Sequence, residues 1–171
     1  MPDFNSIQSG TWTEISARIQ SRERIFLTYI TLTATLVGVA LTKEDLAFVG
    51  VGVGYVALAV ALLSRHHDLI IGYLAQYQRF LDEKDPATEK APCWFDTDIF
   101  KGVMNARATR DYAQILFIIL GSAPALIIAS TKLISPIDTR TIVWYGSLIC
   151  AIASIVVVWV TKIQRNRLWK K

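Results

Sequence analysis

The sequence predicts an all-α integral membrane protein. Its four transmembrane helices form two hairpins, helices extend into the cytoplasm, and a cytoplasmic helical hairpin joins spans two and three. Three observations lead there. Four apolar blocks, residues 25–42, 46–64, 115–131 and 142–161, contain no Asp, Glu, Lys, Arg or His, and each approaches the ~20 residues that a hydrocarbon core of ~30 Å requires. The basic residues are unevenly placed: segments 1–24, 65–114 and 162–171 hold three, seven and five of the eighteen Lys and Arg. By the positive-inside rule, these segments and both termini face the cytoplasm of a plasma (inner) membrane. Finally, helical periodicity runs past the second block without a Pro or a Gly pair, so residues 46–83 read as one helix that leaves the bilayer. The chain of 171 residues forms a single four-span membrane domain, residues 1–171, in keeping with 53% hydrophobic residues and a mean hydropathy of +0.38.

Residues 1–10 are polar, include Pro2 and Gly10, and read as a loosely held tail. Thr11-Trp12-Thr13-Glu14 has the spacing of a capping box, with Thr11 as N-cap and Glu14 reaching back to its amide. The first block starts at residue 25, after this polar segment, and lacks a small-residue cleavage pattern, so it reads as a retained span. It is rich in threonine: Thr28, Thr31, Thr35 and Thr42 share a helical stripe with Gly38. Lys43-Glu44-Asp45 is the whole connection to the next block, which leaves room only for a tight antiparallel turn. In the second block Gly50 and Gly54 form a GxxxG pair suited to close helix approach.

Beyond the second block, Leu69, Ile70, Tyr73, Leu74, Tyr77, Phe80 and Leu81 line up as an apolar stripe, expected to be the buried face. Pro86 and Pro92 mark a turn, and a helix begins near Asp96-Thr97-Asp98. Its Ile99, Phe100, Val103 and Met104 are expected to pack on that stripe. The third block carries Pro124 in its middle, which should kink it. The fourth opens with the interfacial pair Trp144-Tyr145, and a basic tail with Trp169 is suited to lie against anionic lipid.

Few residues offer chemistry. Charge-free spans speak against ion-coupled transport, proton relays and intramembrane catalysis, and leave a passive pore, a sensor, an anchor or a scaffold. Thr28, Thr31, Thr35, Gly38, Gly50 and Gly54 are the candidate pore-lining or helix-packing face. His66, His67 and Asp68 sit where the second span meets the cytoplasm and form a candidate pH-sensitive interface. Adjacent histidines project about 100° apart on a helix, so they do not form a metal pair. The Asp-x-Asp of residues 96–98 reads as a helix start before a Mg²⁺ site. Gly50, Gly52 and Gly54 lack the strand–turn–helix context of a dinucleotide fingerprint. Cys93 and Cys150 lie in a polar loop and a span, so no disulfide framework is expected. No catalytic residue, metal or cofactor is expected, and the basic pI of about 9.2 points to lipid head groups before nucleic acid. The expected partners are the lipid bilayer, further copies of the chain and a cytoplasmic protein.

On this reading the protein is a small homo-oligomer whose spans form a pore or perturb the membrane under control of its cytoplasmic helices, and is not an enzyme. By architecture it suits a bacterial membrane effector in a defence or toxin-like system. The alternative is a membrane anchor or accessory subunit that docks a cytoplasmic partner through residues 65–114.

Overall fold

The computed structural model describes residues 4–42, 44–84, 98–131 and 138–169. They form α1 (Phe4–Thr42), a 3-10 helix (Glu44–Val51), α2 (Gly52–Lys84), α3 (Asp98–Ser130) and α4 (Thr139–Trp169). All four α-helices are long and apolar enough to cross a membrane. They are 31 to 39 residues long, roughly 46–58 Å at ~1.5 Å per residue, so each exceeds a hydrocarbon core of ~30 Å.

Contacts between helices fix their directions. Near one end Leu36 of α1 lies against Gly52, and near the other Arg22 pairs with Asp68, so α1 and α2 run antiparallel. Gly50 abuts Ala125 while Asp68 meets Arg110, which makes α3 antiparallel to α2. Ser147 hydrogen-bonds Val51 and Arg165 reaches Asp68, so α4 runs parallel to α2.

Small and hydroxyl-bearing residues build the central seam. On α2 the buried positions Ala61, Ser64, Asp68, Ile71, Ala75 and Gln78 alternate three and four apart. On α4 the buried positions Ser147, Ala151, Ser154, Val158, Thr161 and Arg165 do the same. As far as Asp68 and Arg165 these faces lie together, and α2 with α4 is the most extensive helix pairing among the described residues. Small side chains let two backbones approach, which drives association where lipid offers no hydrophobic contrast. Gly54 belongs to this seam: a Cβ there would collide with the Ser147 backbone. Around it, Tyr29, Ala57, Val60, Ala61, Ile118 and Val158 form the buried apolar core.

The structure corrects three expectations. The helix does not start at a Thr11 cap. It begins at Phe4, and Thr11 lies inside it, its hydroxyl donating to the Ile7 carbonyl at 3.0 Å, while Glu14 pairs with Arg18 at 2.6 Å. The local capping signal yields to helix propagation, and residues 4–10 are helical. The α-helix over 46–83 is not continuous either, because residues 44–51 are 3-10. This segment fits tightly against α3, with the Gly50 Cβ position 2.9 Å from the Ala125 carbonyl oxygen. Lastly, the seven-residue stripe is buried only in part: Leu81 is buried and Leu69, Ile70 and Leu74 are half-buried, but Tyr73, Tyr77 and Phe80 are exposed. The helix turns Ile71, Ala75 and Gln78 inward, on the face that carries Ser64 and Asp68. Residues 85–97, with Cys93 and Asp96, lie outside the described residues, as do the side chains of Ile99, Phe100, Val103, Met104 and Trp169 and with them the expected packing. Pro124 is accommodated inside α3.

Candidate functional site

Acidic and basic side chains from all four helices converge just beyond the apolar blocks. Asp68 of α2 is the hub. Its Oδ1 accepts from Arg22 Nη1 of α1 at 2.6 Å, and its carboxylate is approached by Arg110 Nη2 of α3 at 3.3 Å and Arg165 Nη1 of α4 at 3.4 Å. Asp111 of α3 is a second acceptor. It takes Arg110 Nη2 at 3.1 Å, Arg165 Nη1 at 3.3 Å and a further bond from Arg165 Nη2. The Asp68, Asp111 and Arg165 side chains retain 8%, 4% and 6% of their accessible surface, while Arg110 keeps 31%.

Helix geometry explains the convergence. Asp68 follows the second apolar block by four residues, Asp111 precedes the third by four, Arg22 precedes the first by three and Arg165 follows the fourth by four. Spans of similar length with the directions given above bring these positions to one level. Fixed, multidentate pairing is what a buried guanidinium–carboxylate group requires to offset its lost hydration. Three guanidiniums face two carboxylates, so the cluster has one positive charge in excess. At its edge, Arg65 Nη2 donates to Gln164 Oε1 at 3.3 Å, and Lys162 stands 3.8 Å over the Tyr112 ring.

Of the residues expected to form a pH-sensitive interface, Asp68 is the hub. His66 is exposed, and its ring lies edge-on to His67 at 5.7 Å. Burial, followed by the nearby positive charges of Arg18, His66 and Arg22, pulls the His67 imidazole below its ordinary range. His67 Nδ1 is buried without a hydrogen-bond partner among the described residues. No group of three His, Cys, Asp or Glu side chains able to hold a metal is found among the described residues.

The candidate pore or packing face is split between two environments. Thr28, Thr31 and Thr35 are exposed, and their hydroxyls donate to the carbonyls of Arg24, Leu27 and Thr31 at 2.9–3.1 Å. A Cβ at Gly38 would meet nothing within 4 Å. Gly50 and Gly54, by contrast, are committed inside the bundle against Ala125 and Ser147. Sequence reasoning missed Arg22, Arg110, Asp111 and Arg165 as a unit. The available signal is an acidic or basic residue three or four positions from the end of every apolar block.

Comparison with protein-family models, curated proteins and solved structures finds no match for this chain.

Proposed function

We propose that the chain is a homo-oligomeric plasma (inner) membrane protein that forms or gates a pore, or perturbs the bilayer, under control of helices extending into the cytoplasm. Its spans are two hairpins, its termini and residues 65–114 are cytoplasmic, and no catalysis is assigned to it. The observation that carries this reading is the exposure of α1: only 11% of its most apolar stretch is buried within the chain, against 44% for α2. Its Thr28, Thr31, Thr35 and Gly38 face is left open, and small residues on an open span suit contact with further copies. The hydroxyls bond to their own backbone, so they tolerate lipid, protein or water beside them. The cluster around Asp68 supplies the coupling, since it joins every helix to the others where span gives way to extension. Such an assembly suits a bacterial defence or toxin-like effector.

Ion flux from purified protein in liposomes tests the reading, with particle mass in mild detergent as its companion. A closed oligomer with flux supports it; a monomer with no flux under any trigger overturns it.

A second reading is favoured by the exposed Tyr73, Tyr77 and Phe80. As an anchor or accessory subunit, the chain would use this part of residues 65–114 to dock a cytoplasmic partner. It predicts a monomer when isolated and protection of 65–114 from proteolysis only with the partner.

A further inference from the structure

A cleft of about 330 Å³ opens between α1, α2 and α3 beside the charged cluster, within the ~300–1,000 Å³ common for ligand pockets. Two helical i, i+4 pairs form its sides. Arg22 and Phe26 come from α1, Arg110 and Gln114 from α3, with the buried Ser64 of α2 between them. The cleft is therefore graded along the helix axes. Its guanidiniums lie toward the charged end, while Phe26 and Leu27 belong to the first apolar block. Phe26 meets Phe117 of α3 edge-on at 5.6 Å.

Two independent features point to an anionic ligand. The cluster is one positive charge in excess, and its most accessible guanidinium, Arg110, stands in the cleft wall. In addition, Gln114 is 9% exposed, and its Nε2 has no hydrogen-bond partner among the described residues. A buried amide donor is costly without an acceptor, and Gln114 lines the same cleft as Arg22 and Arg110. The remaining lining charge, Glu23, is exposed and is followed in sequence by the exposed, oppositely charged Arg24.

We propose that this cleft binds one anionic phospholipid. The phosphate is held by Arg22, Arg110 and the Gln114 amide, and an acyl chain lies over Phe26 and Leu27. The inference stands apart from pore formation, since an anchor subunit could carry the same site.

The experiment uses the full chain in neutral detergent, titrated with dioleoyl phosphatidylglycerol, dioleoyl phosphatidylcholine or inorganic phosphate and read by native mass spectrometry. One phosphatidylglycerol should be retained per chain, at least roughly tenfold tighter than phosphatidylcholine, and millimolar phosphate should not displace it. Gln114→Leu breaks no hydrogen bond of the Nε2 and should weaken phosphatidylglycerol about tenfold, as expected for losing a bond to a charged group. Leu27→Ala, remote from the ion pairs, should weaken it roughly fivefold through lost apolar contact. Equal retention of the two lipids, undiminished binding by both variants, or phosphate binding as tight as lipid would each overturn the proposal.

Discussion

Replacing Asp68 with Asn tests whether the charged cluster holds the four helices together. The substitution preserves shape but removes the charge that three guanidiniums on three other helices approach within 3.4 Å. The excess positive charge of the cluster rises from one to two, and the Asp68 site is only 8% exposed, so water cannot compensate. Breaking a buried pair in this way typically costs about 3–5 kcal/mol. At roughly 2–4 °C per kcal/mol for a chain of this size, Tm should fall by about 6–20 °C. Tryptophan fluorescence during heating in mild detergent provides the assay. Arg22→Gln should cost less, because Asp68 keeps its contacts to Arg110 and Arg165. The double variant should be less damaging than the sum by about 1–3 kcal/mol, as for groups in direct contact. A fall below about 1 °C, or strict additivity, would refute the reasoning and reduce the cluster to a set of weakly coupled surface pairs.

Glycine substitutions distinguish the interior seam from the open face. Gly54→Ala should destabilise the monomer by about 1–3 kcal/mol, since the Ser147 backbone occupies the Cβ position. Gly38→Ala has open space and should be neutral or stabilising by up to about 1 kcal/mol in thermal unfolding. If copies meet at α1, Gly38→Trp should lower the detergent particle mass while leaving Tm nearly unchanged; an intact oligomer would exclude that face. His67, held below its ordinary imidazole pKa of about 6.5, remains neutral in the fold at pH values where the unfolded chain already binds a proton. Stability should therefore be full above about pH 6.5 and decline as pH falls through it. His67→Gln should flatten that Tm profile, and an unchanged slope would remove His67 from the explanation. Finally, replacing Tyr73 and Tyr77 with Ser should leave Tm nearly unchanged, because both are exposed, and should abolish partner protection of 65–114 if the anchor reading is right.

The apolar blocks were legible because their signal is local: about twenty uncharged residues announce a span whatever its neighbours. Other features depended on relations between distant segments. Asp68 and Arg165 are 97 positions apart, and only the directions and lengths of the intervening helices bring them to one level. The buried face of α2 coincides only in part with the one that periodicity picks out, for a related reason. Periodicity favours the bulky Tyr73, Tyr77 and Phe80 as the inward side, yet Asp68 is held by Arg165 of α4 and Arg22 of α1, and Ile71 and Ala75, three and seven positions on, share its buried face. At Thr11 the error was one of competition, since a hydroxyl that can cap a helix can equally donate to a carbonyl within one. The Thr28 and Gly54 faces both looked like packing surfaces in sequence, and only the position of α3 and α4 assigned one of them inward.

The helices continue unbroken beyond the level of Asp68, and this gives the protein mechanical leverage. From Asp68 to Lys84 α2 extends about 24 Å, at ~1.5 Å per residue. With the ion pairs acting as a fulcrum, a swing of about 10° at the outer end would carry its tip about 4 Å, and a stiff rod would pass the same rotation to the segment inside the bilayer. A small force applied at the far end of α2 would thereby be delivered where α2 and α4 touch through little more than serine and alanine.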